Sequence, residues 1–276
     1  MSAFFGVSKC FAILTPRIPG RSCIIRAMDQ PPAAPFLSVV IPVFNEIALL
    51  EGVVHRLCRE LPAVAGSFEV VLSENGSTDG SREMADAIAS GCPQIRVIHA
   101  AVADYGLALK RGLEAARGRY VFHCAVDLAD LSFLRAALER IGTHDAVLGS
   151  KYIEPGTDTR PWFRRAAGRM YAGMIRTLFR LPAADTHGIK LFRRDAVAPH
   201  IAACRFGGAM FDTELILGIS QAGLRLTEIP IAAGEIRPSR KSVLTVAFKS
   251  LADLSRLAAL RLRIRFRPQP GGAKRS

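Results

Sequence analysis

The sequence has few aromatic residues and no long apolar run. Phe, Trp and Tyr make up 7% of its 276 residues, and it contains a single tryptophan. A membrane-spanning helix needs about 18 or more consecutive apolar residues. The apolar-rich stretch 243–260 does not provide them, because Lys249, Asp253 and Arg256 interrupt it. We therefore predict no transmembrane segment.

The cysteines lack the spacing of a zinc site and of a small disulfide-stabilised protein. The six cysteines are scattered, with no C-x-x-C pair and no Cys/His cluster at zinc-ligand spacing. Half of the residues are apolar, so a chain of this length can bury a core without a disulfide framework. The sequence predicts reduced thiols in a cytosolic protein.

The middle of the chain has no net charge. The formal net charge is +13, of which Arg237 to Ser276 carry +10 and residues 1–36 carry +3. A nucleic-acid-binding protein usually carries its basic residues on the face of a folded domain. The distribution therefore predicts a neutral globular core with a basic arm, and no nucleic-acid partner.

The basic arm has the pattern of an amphipathic helix over residues 243–267. Apolar residues recur at steps of three and four, while Lys249, Arg256 and Arg263 recur every seventh residue. Such a helix suits the surface of an anionic membrane, which predicts peripheral membrane association. The alternative is a helix that packs on the domain and carries a soluble basic tail.

The two ends of the chain lack the patterns of folded elements. We expect residues 1–36 to be a disordered leader and residues 268–276 a disordered tail, with a globular domain over 37–242. The first 27 residues contain four basic residues and no acidic one. They are compatible with a targeting peptide, and also with an upstream start codon that makes Met28 the true first residue.

The core alternates between buried strands and helices. Five apolar segments predict strands, and a helical segment follows each of the first four. The strands are 37–44, 68–75, 95–100, 119–126 and 145–150, and the helix after the fourth strand covers 131–140. Strands that are apolar on both faces and alternate with helices predict an α/β fold, with a mostly parallel, Rossmann-like sheet and helices on both faces.

Polar side chains follow three of these strands. Asn45 and Glu46 follow the first strand, the segment SENGSTDGS at 73–81 ends the second, and Asp127 and Asp130 follow the fourth. Ligands of such sheets bind outside the carboxyl ends of the strands. Glycines that allow a tight turn before a helix suit a ribose or a diphosphate. We therefore expect the binding site at this edge.

The motifs occur in a specific order. The ordered segments are IPVFNE at 41–46, SENGSTDGS at 73–81, ADYGLALKRGLEAARGRYV at 103–121, DLAD at 127–130, DTHGIKLFRRDAV at 185–197 and FDTELIL at 211–217. In order and spacing they resemble glycosyltransferase family 2, with the GT-A fold, and within it the polyprenyl-phosphate sugar transferases of the dolichol-phosphate mannose synthase type. The resemblance implies transfer of a hexose from a UDP- or GDP-sugar to a polyprenyl phosphate at the cytoplasmic face of the membrane.

The resemblance implies a donor site on the first two strands. The residues that would line the base and ribose are Pro42, Asn45, Glu46 and Asn75. The loop at Gly106 would pass near the diphosphate, and Gly112 would allow close packing of a helix on the sheet. Glu74 and Asn75 stand where the family has paired aspartates.

The resemblance also implies a divalent cation, Mg²⁺ or Mn²⁺, bound by a D-x-D segment after the fourth strand. That segment reads Ala125-Val126-Asp127, so Asp127 remains as a ligand and the first carboxylate is missing. We interpret the nearby Asp130 as a helix N-cap rather than a ligand. The missing carboxylate leaves a second hypothesis open, a non-catalytic homologue that acts as a binding or regulatory protein.

Acceptor residues follow from the same resemblance. Arg237, a catalytic candidate, would neutralise a lipid phosphate together with Arg240 and Lys241, while Asp185 and Lys190 lie in an acceptor-side loop. An anionic lipid phosphate needs no strong general base.

A sugar hydroxyl acceptor would need such a base. Asp212 and Glu214 are then the catalytic candidates, unless they serve as carboxylates at a helix N-terminus. We expect His123 and His187, which have no spaced partner, to be structural.

Overall fold

The computed structural model describes residues 34–232, together with residues 252 and 255. Most of the predicted leader and the predicted tail lie outside the described residues. So does the basic arm, apart from Ala252 and Ser255, which are both helical. Arg237, Arg240 and Lys241 are outside as well, so their roles stay predictions.

Residues 34–232 form seven strands and seven α-helices. The strands are β1 (Leu37–Val43), β2 (Phe68–Glu74), β3 (Ile95–His99), β4 (Tyr120–His123), β5 (Ala146–Ser150), β6 (Lys190–Arg193) and β7 (Leu226–Pro230). The helices are α1 (Leu50–Ala65), α2 (Ser81–Gly91), α3 (Tyr105–Ala115), α4 (Leu131–Arg140), α5 (Trp162–Phe179), α6 (Arg194–Ala203) and α7 (Met210–Gln221). In this part of the chain, no helix is long and apolar enough to cross a membrane.

The seven strands form one sheet in the order β3-β2-β1-β4-β6-β5-β7. Only β6 among them is antiparallel to its neighbours, β4 and β5, while the other pairs are parallel. The predicted α/β class with a mostly parallel sheet is confirmed. Because β6 runs the opposite way, its first residue lies at the same edge as the carboxyl end of β4.

The core has one layer on each face of the sheet. Successive side chains of a strand point to opposite faces. Accordingly Val39 and Ile41 of β1 belong to one buried cluster, and Val40 belongs to the other. Helices α1 and α4 contribute to the first layer, and α3, α6 and α7 to the second. This double coverage explains why β1 and β2 are apolar on both faces.

Helix α3 packs directly on β1. A Cβ atom at Gly112 would lie 2.5 Å from Cγ1 of Val40, closer than real Cβ contacts allow. The close packing predicted for Gly112 is confirmed. It holds the C-terminal half of α3 against the sheet.

Candidate active site

The loops that follow β1 and β2 are joined by hydrogen bonds. The backbone N–H of Asn45 donates to Oγ of Ser77 at 3.0 Å, and Oδ1 of Asn45 accepts from the backbone N–H of Thr78 at 2.9 Å. The N–H of Glu46 donates to Oγ of Ser81 at 2.7 Å. Asn45 adopts a positive φ of 55°, which asparagine tolerates better than most residues. The two predicted donor segments therefore form one continuous hydrogen-bonded surface.

Two carboxylates of the second segment hold this surface together. Oε1 of Glu74, which is buried, accepts from the backbone N–H of Ser77 at 2.5 Å. Burial by itself raises the pKa of Glu74, but the bonds from Ser77 and His99 outweigh it, so the pKa is lowered. Asp79 accepts from the backbone N–H groups of Ser81 at 3.0 Å and Ile47 at 3.2 Å. Both carboxylates therefore stabilise the turn by accepting backbone hydrogen bonds.

Asn75 connects this surface to α3. It is buried, and its Oδ1 accepts from the backbone N–H of Asp104 at 2.8 Å. Asp104 caps α3 by accepting from the N–H of Leu107 at 2.9 Å, and it also accepts from the N–H of Gly208 at 2.8 Å. Asp104 was missed by the sequence reasoning, although an aspartate before a helix signals an N-cap.

Gly106 allows the start of α3 to lie against the loop that precedes α7. A Cβ atom there would fall 2.5 Å from the carbonyl oxygen of Gly208 and 2.6 Å from its nitrogen. Backbone atoms cannot give way as the end of a flexible side chain can, so only glycine fits. The donor side of the sheet edge is thus packed against α7, which carries Asp212.

Asp127 lies in a short 3-10 turn over Val126–Leu128, just after β4. Its side chain is exposed, and no hydrogen bond or ion pair to it comes from residues 34–232. Asp130, in contrast, caps α4: its Oδ1 accepts from the backbone N–H groups of Ser132 at 2.8 Å and Phe133 at 3.2 Å. The N-cap interpretation of Asp130 is confirmed.

A buried polar cluster lies beside these loops, at the same edge of the sheet. Nζ of Lys190 donates to Oδ1 of Asp212 at 2.6 Å and to the carbonyl of Gly188 at 2.7 Å, and the Lys190 and Asp212 side chains are each 2% exposed. His123 is the cross-strand partner of Lys190, and its Nε2 lies 3.3 Å from the hydroxyl of Tyr105. Within the described part of the chain, Nδ1 of His123 has no hydrogen-bond partner. We call these four side chains the buried cluster.

Electrostatics fix the charges in the buried cluster. Burial raises the pKa of Asp212, but the charge and the hydrogen bond of Lys190 outweigh this effect, so the pKa is lowered and the carboxylate stays ionised. Burial, reinforced by Lys190, lowers the pKa of His123 to about 3 despite the opposing effect of Asp212. Burial and the nearby Asp212 raise the pKa of Tyr105, although the residue as a whole is 36% exposed. At neutral pH the cluster is one ion pair with a neutral imidazole and phenol.

The buried neutral state of His123 predicts a pH dependence of stability. Between about pH 6.5 and pH 3 the unfolded chain binds a proton at this imidazole that the folded chain does not. The free energy of unfolding therefore falls as the pH drops through this window, by up to about 1.4 kcal/mol per pH unit. We expect His123→Phe to remove this contribution, as measured by urea unfolding across the window.

The range from pH 7 to pH 8 is the internal control for that experiment. There the imidazole is neutral in both states, so its titration adds no difference in slope between the two proteins. Parallel curves for the native chain and His123→Phe down to pH 4 would show that His123 takes up a proton in the folded state.

The acceptor-side loop is held by three side chains. Oδ2 of Asp185 accepts from Nζ of Lys151 at 2.5 Å, and its Oδ1 accepts from the backbone N–H of His187 at 2.9 Å. Glu228 of β7 accepts from the backbone N–H groups of Ala184 and Asp185 at 2.8 Å and 3.0 Å. The sequence reasoning missed Lys151 and Glu228, because their partners are remote in the chain. Asp185 thus shapes the loop from a buried position.

His187 lies next to this loop and has structural partners. Its Nε2 is 3.1 Å from the carbonyl of Ala209, and its Nδ1 is 3.1 Å from Oγ1 of Thr186. Burial lowers its pKa, although Asp212 and Asp185 oppose the shift. These contacts agree with the structural role expected for His187.

Asp212 and Glu214 point to different parts of the molecule. Two residues apart on α7, they differ by about 200° around the helix. Oε2 of Glu214 accepts from the backbone N–H groups of Arg205 and Phe206, each at 2.8 Å, so it holds the loop before α7. The structure brings Asp212 together with Lys190 and leaves Glu214 outside the buried cluster. The N-cap residue of α7 is Ala209, so neither carboxylate caps the helix, but Asp212 lies in its first turn, as the alternative interpretation expected for a carboxylate at a helix N-terminus.

The site has three parts at one edge of the sheet. The joined loops after β1 and β2 offer amides and backbone groups, Asp127 offers an exposed carboxylate, and the buried cluster supplies a fixed ion pair beneath the start of α7. An exposed carboxylate near a loop that ends at a helix N-terminus suits a diphosphate bound with a cation.

Comparisons with known proteins show the family of this chain. The sequence model described as Glycosyl transferase family 2 matches residues 38–200, more than half of the chain. Glycosyltransferase AglD of Haloferax volcanii is 33% identical over 202 residues, which cover 71% of this chain and 32% of AglD. Undecaprenyl-phosphate mannosyltransferase of Micrococcus luteus is 27% identical over 201 residues, 70% of this chain and 81% of that protein. The chain therefore spans about a third of AglD and most of the mannosyltransferase.

A solved structure shares the fold. Glucosyl-3-phosphoglycerate synthase from Mycobacterium tuberculosis, in complex with Mn²⁺, UDP and glucosyl-3-phosphoglycerate, aligns with a TM-score of 0.59 and 20% identity. The alignment covers 87% of this chain and 83% of that one. At this identity the likeness concerns the fold alone. With the family match over residues 38–200, these findings show that the chain belongs to glycosyl transferase family 2 and has the GT-A fold.

Proposed function

We propose that the protein transfers a hexose from a UDP- or GDP-sugar to a polyprenyl phosphate at the cytoplasmic face of the membrane. The observation that carries the proposal is the exposed carboxylate of Asp127, which the described residues leave without a hydrogen bond or ion pair at the carboxyl edge of the sheet. Support for a lipid acceptor is the similarity to a protein named undecaprenyl-phosphate mannosyltransferase, of which the chain covers 81%.

The nucleoside would bind the joined loops after β1 and β2. Asn45 and Asn75 use their side-chain oxygens to accept backbone N–H groups, so their NH₂ groups are the donors offered to a base. Pro42 and Glu46 would complete the pocket for base and ribose. The start of α3 at Gly106, where the sequence predicted a loop, is held against Gly208 and would face the diphosphate.

Asp127 fits a divalent cation that is bound mainly through the donor. Mg²⁺ commonly takes one or two carboxylates from the protein and completes its coordination with phosphate oxygens and water. Asp127 offers one such carboxylate, and Ala125 offers none. Across residues 34–232, no group of three or more His, Cys, Asp or Glu side chains could hold a metal unaided. When bound, Mg²⁺ or Mn²⁺ would offset the negative charge of the departing diphosphate.

The chain's other residues would position the two substrates. A phosphate oxygen of the lipid would form a bond to the anomeric carbon as the bond from that carbon to the diphosphate breaks. The acceptor is already anionic, so no residue needs to remove a proton. Asp212 is already paired with Lys190, which suits it to fixing the start of α7 better than to general-base catalysis. Arg237, Arg240 and Lys241 would neutralise the acceptor phosphate.

The proposed function gives separate roles to the globular domain and to the basic arm. The domain over 37–242 would bind both substrates, and the basic helix over 243–267 would bind the membrane surface as a peripheral anchor. Reading the arm as an anchor agrees with its charge of +10 between Arg237 and Ser276.

Ala125 favours a second candidate function. A chain that lacks one carboxylate of the metal-binding segment could bind a nucleotide-sugar without transferring it, and so act as a binding or regulatory protein. Both functions require the donor surface, and only the first requires turnover.

A transfer assay separates the two functions. The full chain is incubated with Mn²⁺, radiolabelled UDP- or GDP-hexoses, and vesicles with or without undecaprenyl phosphate. The enzyme proposal expects label in the organic phase that depends on the polyprenyl phosphate and is released by mild acid. A donor that binds but yields no labelled lipid and no other labelled product would favour the non-catalytic homologue. Label on a water-soluble acceptor alone would contradict the lipid acceptor.

A further inference from the structure

Arg56 of α1 makes a hydrogen bond to the turn that carries Asp127. Nη2 of Arg56 donates to the carbonyl of Ala129 at 2.8 Å. Ala129 is 3% exposed, and a buried carbonyl that lacks a donor is unfavourable. Among residues 34–232, no other donor reaches this carbonyl. The bond therefore fixes the backbone two residues away from Asp127.

The turn over residues 125–130 has few other bonds that fix its shape. Two backbone hydrogen bonds, of 3.1 Å and 3.0 Å, lie within it. Val126 and Ala129 are buried in the core, and Asp127 between them is exposed. In the described part of the chain, Arg56 is the only side chain from outside the turn that bonds to its backbone. The orientation of Asp127 thus depends on two apolar anchors and one guanidinium.

We propose that Arg56 is a positioning residue that holds Asp127 where its carboxylate meets the cation of the donor. The inference rests on the proposed function, because it takes Asp127 as the cation ligand. Ala125 offers no second carboxylate, so the position of this one group decides how well the chain binds the cation. Removing a group that orients a metal ligand typically costs about 10- to 100-fold in metal affinity or activity.

The geometry favours this role over a direct contact between Arg56 and the diphosphate. Helix α1 begins at Leu50, at the carboxyl edge of the sheet, and runs towards the opposite edge. Arg56 lies six residues further on, about 9 Å along the helix axis. Its guanidinium is also already bonded to the carbonyl of Ala129. A direct contact would strengthen nucleotide binding with or without a cation, whereas positioning of Asp127 acts only when a cation is bound.

The first test needs neither metal nor nucleotide. Hydrogen–deuterium exchange of the full chain, read by mass spectrometry, reports the opening of the turn at 125–130. In Arg56→Met we expect its amides to exchange at least about threefold faster, because the turn loses its bond to α1. Arg59→Met is the matched control: it removes the same charge one turn later, where Arg59 pairs with Glu60. The control is expected to exchange at the native rate, and thermal melting checks that each variant folds.

The second test is calorimetric titration with UDP and GDP, each with and without Mn²⁺. The measured quantity is the factor by which Mn²⁺ strengthens nucleotide binding. Arg56→Met is expected to lower this factor roughly tenfold and to change the metal-free affinity less than about twofold. Arg56→Lys is expected to recover the factor to within about threefold of the native chain, because an ammonium also donates to a carbonyl. A role of Arg56 in stability alone would not separate the two affinities in this way.

Three results would overturn the inference alone. The first is native exchange of the turn in Arg56→Met, or a native Mn²⁺ factor in that variant. The second is equal weakening of nucleotide binding with and without Mn²⁺, which would indicate direct contact with the nucleotide. The third is an equal effect of Arg59→Met, which would assign the loss to charge. If Mn²⁺ does not strengthen nucleotide binding in the native chain, the cation at Asp127 is itself contradicted, and the inference fails with the proposed function.

Discussion

Replacing Lys190 with methionine is expected to lower the free energy of unfolding by about 3–5 kcal/mol, because it leaves the buried carboxylate of Asp212 without its counter-ion. Both side chains are 2% exposed, and their ion pair of 2.6 Å joins β6 to α7. Methionine matches lysine closely in length, so the loss reflects the charge and not a cavity. Urea unfolding at pH 7 measures it.

The double variant Lys190→Met/Asp212→Leu is the matched control. Replacing both partners of a buried pair with apolar residues is often neutral or stabilising, so the double variant is expected to recover most of the loss. A cost below about 1 kcal/mol for Lys190→Met would show that the pair is solvated, and that Lys190 is available to an acceptor phosphate after all.

Removing the charge of Asp127 is expected to reduce transfer at least about a hundredfold and to leave stability within about 0.5 kcal/mol. The variant Asp127→Asn keeps the shape of the side chain, which is exposed and forms no hydrogen bond or ion pair with residues 34–232. The folded chain therefore loses nothing by the change, whereas a cation bound with the donor loses its carboxylate ligand. The transfer assay and urea unfolding measure the two quantities.

Asp130 provides a control three residues away. It caps α4, so Asp130→Ala is expected to cost about 1 kcal/mol of stability and to keep transfer within a few-fold. The Asp127 variant should thus lose transfer and keep its stability, and the Asp130 variant should lose stability and keep transfer. If transfer is kept in Asp127→Asn and lost in Asp130→Ala, Asp130 and not Asp127 is the metal ligand.

Much of the fold was predictable because local patterns determine it. The apolar runs of β1 and β2 are buried on both faces, and their predicted limits differ from the observed ones by a single residue. The limits of α4 agree with the prediction at both ends, since Asp130 provides the start signal. The short strands β6 and β7 were not predicted as strands. Their sequences, KLFR and LTEIP, each have two large apolar residues beside charged or polar ones, a pattern that does not by itself identify a strand.

The contacts inside the site were predictable only in part. The sequence reasoning placed Lys190 near an acceptor phosphate, but the structure buries it against Asp212, 22 residues away. That pairing depends on the antiparallel insertion of β6 beside β4, which no local pattern reveals. Likewise Glu214 was a candidate base, and its bonds to the loop at Arg205 and Phe206 appear only when the chain has folded.

The central claim is that this chain has a working donor site that depends on a cation at Asp127. Calorimetric titration of the full chain with UDP, GDP and their sugar conjugates, each with and without Mn²⁺, tests it most directly. The account predicts that one nucleotide binds, that Mn²⁺ strengthens its binding, and that Asp127→Ala abolishes this strengthening. If no nucleotide binds under any of these conditions, the transferase account is contradicted.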